Sequence, residues 1–140
     1  MIHSQIYLWT YVDDPRNYRG FHLTADDAGC DVLLRRIKAM QVCGSTSRLQ
    51  FELTSAGPRE LAVVGYDGRA RKFDRWIVNY SPTEPADAWA FTVDERTATL
   101  SLGRAQLTPL LRGIEDIRRG RGDYSLGDET HSLWLWWRVA

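Results

Sequence analysis

The run Leu133-Trp134-Leu135-Trp136-Trp137 constrains the fold more than any other stretch, because it is apolar on both sides of whatever it forms. Set between Asp128-Glu129 and Arg138, it is too short to span a membrane and too aromatic to favour a helix. As a strand over 132–139 it sends Trp134 and Trp136 to one face and Leu133, Leu135 and Trp137 to the other. A strand apolar on both faces is covered on both, or else covers a partner.

The N-terminal segment has the same character. Residues 2–12 alternate Ile2, Ile6, Leu8 and Val12 against Tyr7, Trp9 and Tyr11, which predicts a strand with two apolar faces. After a turn cluster at 13–17 and a short extended piece around Phe21 and Leu23, Thr24 is the expected N-cap of a helix, with Asp27 in the capping-box position. Cys30, Leu33, Leu34, Ile37 and Met40 form one helical stripe, and Gly44 is the expected stop.

From Ser47 to Leu102 the pattern changes to strands: 48–54, 60–66 and 70–80, with a hairpin at Asp67-Gly68, then a hairpin of 89–93 and 97–102. A second amphipathic helix carries Leu107, Leu110, Leu111, Ile114 and Ile117. Its start is either Thr108 as N-cap with Pro109 behind it, or Gly103 with Pro109 inside an early turn. In the loop that follows, at least one of Gly120, Gly122 and Gly127 is expected at positive φ, and Tyr124 is expected to pack back as an anchor.

This order predicts one α+β domain over 1–140: a two-layer sandwich, with a mostly antiparallel sheet of about six or seven strands and two helices on one face. Two helices shield only one face. The other would display Tyr7, Trp9 and Tyr11 with Trp134 and Trp136, or Trp137. An open apolar patch of that size marks a binding surface; the alternative is that the sheet curls or loops fold over it, making these aromatics core.

The chemistry-bearing residues make no recognised motif. His3, His22 and His131 are scattered, and Asp26, Asp27 and Asp31 suit a helix N-terminus better than a calcium loop. Ser125 lacks the glycine a nucleophile elbow needs, and Cys30 lies on the apolar stripe. There is no phosphate-binding loop, so no cofactor is implied.

Formal charge is zero, yet of 18 basic residues only Lys38 and Lys72 are Lys. The densest basic cluster is Arg118, Arg119 and Arg121, at a helix end where the dipole by itself favours cations. Arg69-Ala70-Arg71-Lys72 comes second. With no global field, nucleic acid is the weakest of the partner classes.

The segment Met1–Trp9 has no basic region or cleavage site of a secretory signal, and no apolar run nears the ~20 residues of a transmembrane helix. Cys30 and Cys43, thirteen steps apart on one predicted helix, stand roughly 20 Å apart, beyond the ~7 Å limit for a bridge. The expectation is a cytoplasmic protein with free thiols and no membrane partner.

The function expected from these features is binding rather than catalysis, through the aromatic sheet face, to a second copy of the chain or a protein partner. A small toxin-neutralising or chaperone-like protein has this size. The alternative is a small-ligand or enzymatic cleft lined by Trp and Tyr with Arg supplying charge. A nucleic-acid module working through the Arg clusters stands third.

Overall fold

Alternation in the first segment builds β1 (Ile6–Tyr11), which pairs antiparallel with β2 (Phe21–Ala25), placing Leu8 opposite Leu23 and Trp9 opposite His22. The structure, a computed structural model, describes residues 4–12, 19–63, 69–83, 85–127 and 131–137. The Trp-rich run forms β9 (Leu133–Trp136), shorter than expected but interior, lying between β2 and β8 (Asp123–Leu126). Leu133 and Leu135 point to one face, beside Phe21 and Leu23, and Trp134 shares the opposite face with His22. β4 (Ala70–Lys72) completes a five-stranded sheet, of order β4-β1-β2-β9-β8.

The strands do not form one sheet of six or seven. The expected strand 70–80 breaks at Phe73-Asp74, and the remainder enters a second, four-stranded sheet as β5 (Arg75–Tyr80). Backbone hydrogen bonds hold the break: Asp74 N donates to Arg96 O at 2.8 Å, and Asp74 O accepts from Leu53 N at 2.9 Å. The second sheet also contains β3 (Ser47–Glu52), β6 (Trp89–Asp94) and β7 (Thr97–Leu102), in the order β3-β5-β7-β6. Each sheet includes one parallel pair, β2 with β9 and β5 with β7, which hydrophobic periodicity does not reveal.

The strand expected at 60–66 is absent in its described part, where a helical turn α2 (Pro58–Leu61) stands instead. Pro58 suits the first helical position, and the Glu60 carboxylate accepts the Gly57 N–H at 2.7 Å, so local capping overrides the strand pattern. The Asp67-Gly68 turn lies outside the described residues.

Helix α1 (Asp27–Cys43) buries the predicted stripe and stops at Gly44. Its N-cap is Asp26 rather than Thr24, because β2 runs on through Ala25. The Asp26 carboxylate accepts Gly29 N at 2.7 Å and Gln5 N at 3.0 Å, while the Thr24 hydroxyl donates to Trp136 O at 3.0 Å. Helix α3 (Leu107–Arg118) follows a 3₁₀ turn that opens at Gly103, with Pro109 in its first turn, where no intrahelical N–H is needed. Gly120, Gly122 and Gly127 all have positive φ (76°, 124° and 86°), and the Tyr124 hydroxyl donates to Asp116 at 2.6 Å.

The inward faces of both sheets meet α1 and α3 in one apolar cluster, with Phe21 stacked on Phe91 at 4.1 Å between the sheets. Arg118 of α3 pairs with Asp31 of α1 at 2.9 Å. Among the described residues, no helix is long and apolar enough to cross a membrane.

Gly29 tests this packing. In an ordinary helix Gly→Ala stabilises by roughly 1 kcal/mol, but a Cβ here would run into the carbonyl oxygen of Gln5. Gly29→Ala is expected to destabilise by about 1–3 kcal/mol in equilibrium denaturation, because the obstacle is backbone. A neutral or stabilising result would mean that α1 does not seat against the segment before β1.

Candidate functional site

The aromatic face of the five-stranded sheet carries a ladder. The rings of Trp9, His22, Trp136 and Trp134 stack in that order, at centroid separations of 5.6, 6.2 and 5.8 Å and interplanar angles of 17°, 12° and 14°. Trp136 Nε1 donates to His22 Nδ1 at 2.9 Å, so a neutral His22 keeps its proton on Nε2. Each such aromatic contact adds about 0.5–1.5 kcal/mol beyond area burial.

This face is not left open. Ala56, Leu61 and Val63 fold over it, and the Tyr11 hydroxyl donates to Leu61 O at 2.7 Å. Trp9 is 0% exposed, Trp136 4% and Tyr11 7%. The expected display of Tyr7, Trp9 and Tyr11 is therefore corrected: Trp9, Tyr11 and Trp136 sit in a small second core, and Tyr7 is half-buried beside it. The cover is the segment expected as a strand, so the alternative of a face closed by folded-over chain is the one that holds for Trp9, Tyr11 and Trp136. Only the far end of the ladder reaches solvent. Trp134 is half-buried, with Nε1 donating to Arg19 O at 2.9 Å, and Trp137 is 41% exposed, set edge-on against Trp136.

The Arg cluster is largely engaged within the chain. Arg118 donates through Nη1 to Asp31 at 2.9 Å and through Nη2 to Glu115 at 2.6 Å, and Arg119 reaches Glu115 at 3.3 Å. Hydrogen bonds to these carboxylates raise the Arg118 pKa. Arg121 alone of the three is exposed without an ion pair among the described residues. In the second cluster Arg71 donates to Glu95 O at 2.7 Å. Neither cluster makes a continuous basic stripe.

The two thiols differ. Burial, reinforced by Asp27, Asp26 and Asp31, pushes Cys30 up to about 12, whereas a hydrogen-bonding contact with Ser45 lowers the exposed Cys43. His22 belongs to the ladder. His131 guards the edge of β6, its Nδ1 accepting Phe91 N at 2.9 Å. Ser125 is exposed on β8 opposite Trp134, and His3 lies outside the described residues. No three of His, Cys, Asp and Glu converge on a point among the described residues.

The feature that sequence reasoning did not locate is a groove over one end of the second sheet. The register sets Arg48 beside Asn79, Asn79 beside Ser101, and Ser101 beside Ala90, one row across the outward face. Because Ser101 and Ala90 are small, this row borders an open groove of about 550 Å³. Tyr80, Trp89 and Leu102 of the next row also reach its lining, although alternation turns that row to the inward face, where Tyr80 and Leu102 are buried and Trp89 is half-buried.

Trp89 is held from behind. Its Nε1 donates to His131 O at 2.7 Å, and its ring meets Phe91 edge-on at 6.1 Å. Gly127, at φ 86°, lies so close that a Cβ would enter the indole. The glycine-rich loop before β9 thus fixes one side of the groove. Ser47, also in the lining, has a buried hydroxyl without a hydrogen-bond partner among the described residues, a deficit of about 1–3 kcal/mol if nothing satisfies it. The only signal in the sequence was the alternation that put small and polar residues together in register, and register is a property of pairing.

No protein-family model, curated protein or solved structure matches the chain.

The thiols give a test with a definite sign. A thiol reagent at neutral pH is expected to modify Cys43 alone in the native protein and both cysteines after unfolding. Between pH 9 and about 12 the unfolded chain loses the Cys30 proton while the folded chain keeps it, so stability falls as pH rises through that window. Cys30→Ala is expected to make the alkaline decline in denaturation free energy shallower. An unchanged slope would mean that the thiol is not packed as described.

Proposed function

We propose that this chain is a single-domain binding protein whose ligand is a small molecule held in the groove of the second sheet. The observation carrying this reading is the groove: about 550 Å³, lined by aromatic, small and hydrogen-bonding side chains. Ligand pockets run to roughly 300–1,000 Å³ with this mixture of linings. Among the described residues lining it none is Asp, Glu, His, Cys or Lys, and the one side chain of general acid–base type, Tyr80, is buried in the core, so the groove suits binding better than catalysis. This is the Trp, Tyr and Arg cleft that stood second from the sequence. The closing of the aromatic face over Trp9 moves it ahead. A cytoplasmic setting is part of the proposal, supported by an exposed free thiol at Cys43, which a reducing compartment preserves.

A fragment screen read by amide chemical shifts tests it. Hits are expected to cluster on Arg48, Asn79, Ala90 and Ser101, and Ser101→Phe, which fills the groove from an exposed position, is expected to abolish them. Hits that avoid these residues, or that persist in the filled variant, would remove the groove as the site.

The original reading, self-association through the aromatic face, now rests on Trp137 and the open flank of Trp134. A C2 dimer needs only one self-complementary patch. Sedimentation is expected to show a dimer that Trp137→Glu converts to monomer. A monomer at high concentration in the unmodified protein would exclude it.

A further inference from the structure

We infer that the ligand of the groove is a small organic anion, with an oxyanion head on a flat apolar body. This deepens the groove reading and rests on it. Among the described residues Arg48 is the one charged member of the lining, with no carboxylate beside it. Several other arginines are engaged, Arg36 with Gln50 O, Arg71 with Glu95 O, Arg96 with Asp74, and Arg118 and Arg119 with Glu115. Others such as Arg75 and Arg121 have no side-chain partner among the described residues; Arg48 is set apart by its place in the groove. Arg48 is exposed and makes no ion pair or side-chain hydrogen bond with the described residues, which leaves its five N–H donors to solvent and to whatever enters the groove.

The outward face of the sheet is polarised along the strands. At the end away from the groove, one cross-strand row holds Glu52, Arg75 and Asp94. At the groove end the corresponding row holds Arg48, Asn79, Ser101 and Ala90, one cation and no anion. Directly opposed residues on neighbouring strands stand about 5 Å apart at Cβ, so Asn79 stands between Arg48 and Ser101, which are about 10 Å apart, and the long Arg48 side chain can bring its fork to an oxyanion held at Asn79 and Ser101. A planar guanidinium suits that head, since it can engage two oxygens at once. The half-buried Trp89, with Ala88 and Ala90 beside it, gives the groove an apolar side that suits a flat hydrophobic body.

The probes are 2-naphthoate, 2-naphthyl phosphate and the neutral 2-naphthamide, titrated into the full chain and followed by amide shifts at Arg48, Asn79, Ala90 and Ser101. Naphthoate is expected to bind roughly tenfold more tightly than naphthamide, the scale of one charge-assisted hydrogen-bonded contact. Arg48→Gln is expected to erase that difference without changing naphthamide binding, and Arg48→Lys to keep part of it. If the phosphate binds more tightly than the carboxylate, the head is a phosphate; the reverse order assigns a carboxylate, and both orders sustain the inference. Equal affinities for naphthoate, naphthyl phosphate and naphthamide, unchanged in Arg48→Gln, would overturn the anion while leaving the groove as a site for neutral ligands. Absence of shifts with all three probes, or shifts surviving in Ser101→Phe, would overturn the groove as well.

Discussion

The insertion of β9 between β2 and β8 is the contact on which the rest of the structure depends. Its two leucines face the cluster shared with α1, α3 and the second sheet, and its tryptophans face the other way. Both faces of the strand are large and apolar, so both need cover, and burial of each such side chain is worth about 1.5–3 kcal/mol. The helices and the second sheet cover the leucine side. The segment 56–63 covers much of the tryptophan side. Remove the strand and β2 loses its parallel neighbour, β8 its only partner, and the aromatic ladder half its rings.

The ladder is accordingly structural in its interior. A histidine with 0% exposure between two indoles, accepting a hydrogen bond from one of them, is a polar group accommodated by its neighbours. Function therefore falls to what the core leaves open. The second sheet buries one face and turns the other outward, as antiparallel-rich sheets commonly do. At one end of that outward face the side chains are small, and the groove is the consequence. Between β8 and β9, Gly127 and His131 hold Trp89, while Tyr124 of β8 is anchored to Asp116.

Much of the local structure was legible in the residues. The stripe Cys30–Met40 is the buried face of α1, the spacing of Leu107–Ile117 is that of α3, and the split of leucines from tryptophans in β9 is as alternation requires. The loop glycines adopt positive φ and Tyr124 is an anchor. Failures occurred where local patterns compete. Thr24 and Asp26 both cap well, and the choice was made by how far β2 extends. The stretch from Glu60 alternates like a strand, yet Gly57, Pro58 and Glu60 start a helical turn.

Of the candidate residues, Trp9, Tyr11 and Trp136 are core, Arg118 ties α3 to α1 through Asp31 while Arg119 pairs with Glu115 of its own helix, and Trp134 and Trp137 keep some exposure. By itself the sequence determined which residues are apolar, with what period, and where the chain turns, because those properties depend on neighbours a few positions away. Tertiary structure alone decided that the strands divide into two sheets, that two pairs run parallel, and that residues 56–63 cover the ladder. It also decided that Arg48, Asn79, Ser101 and Ala90 stand in one row. These outcomes depend on pairing between segments distant in sequence, and a one-residue slip in register would move every one of those side chains to the other face.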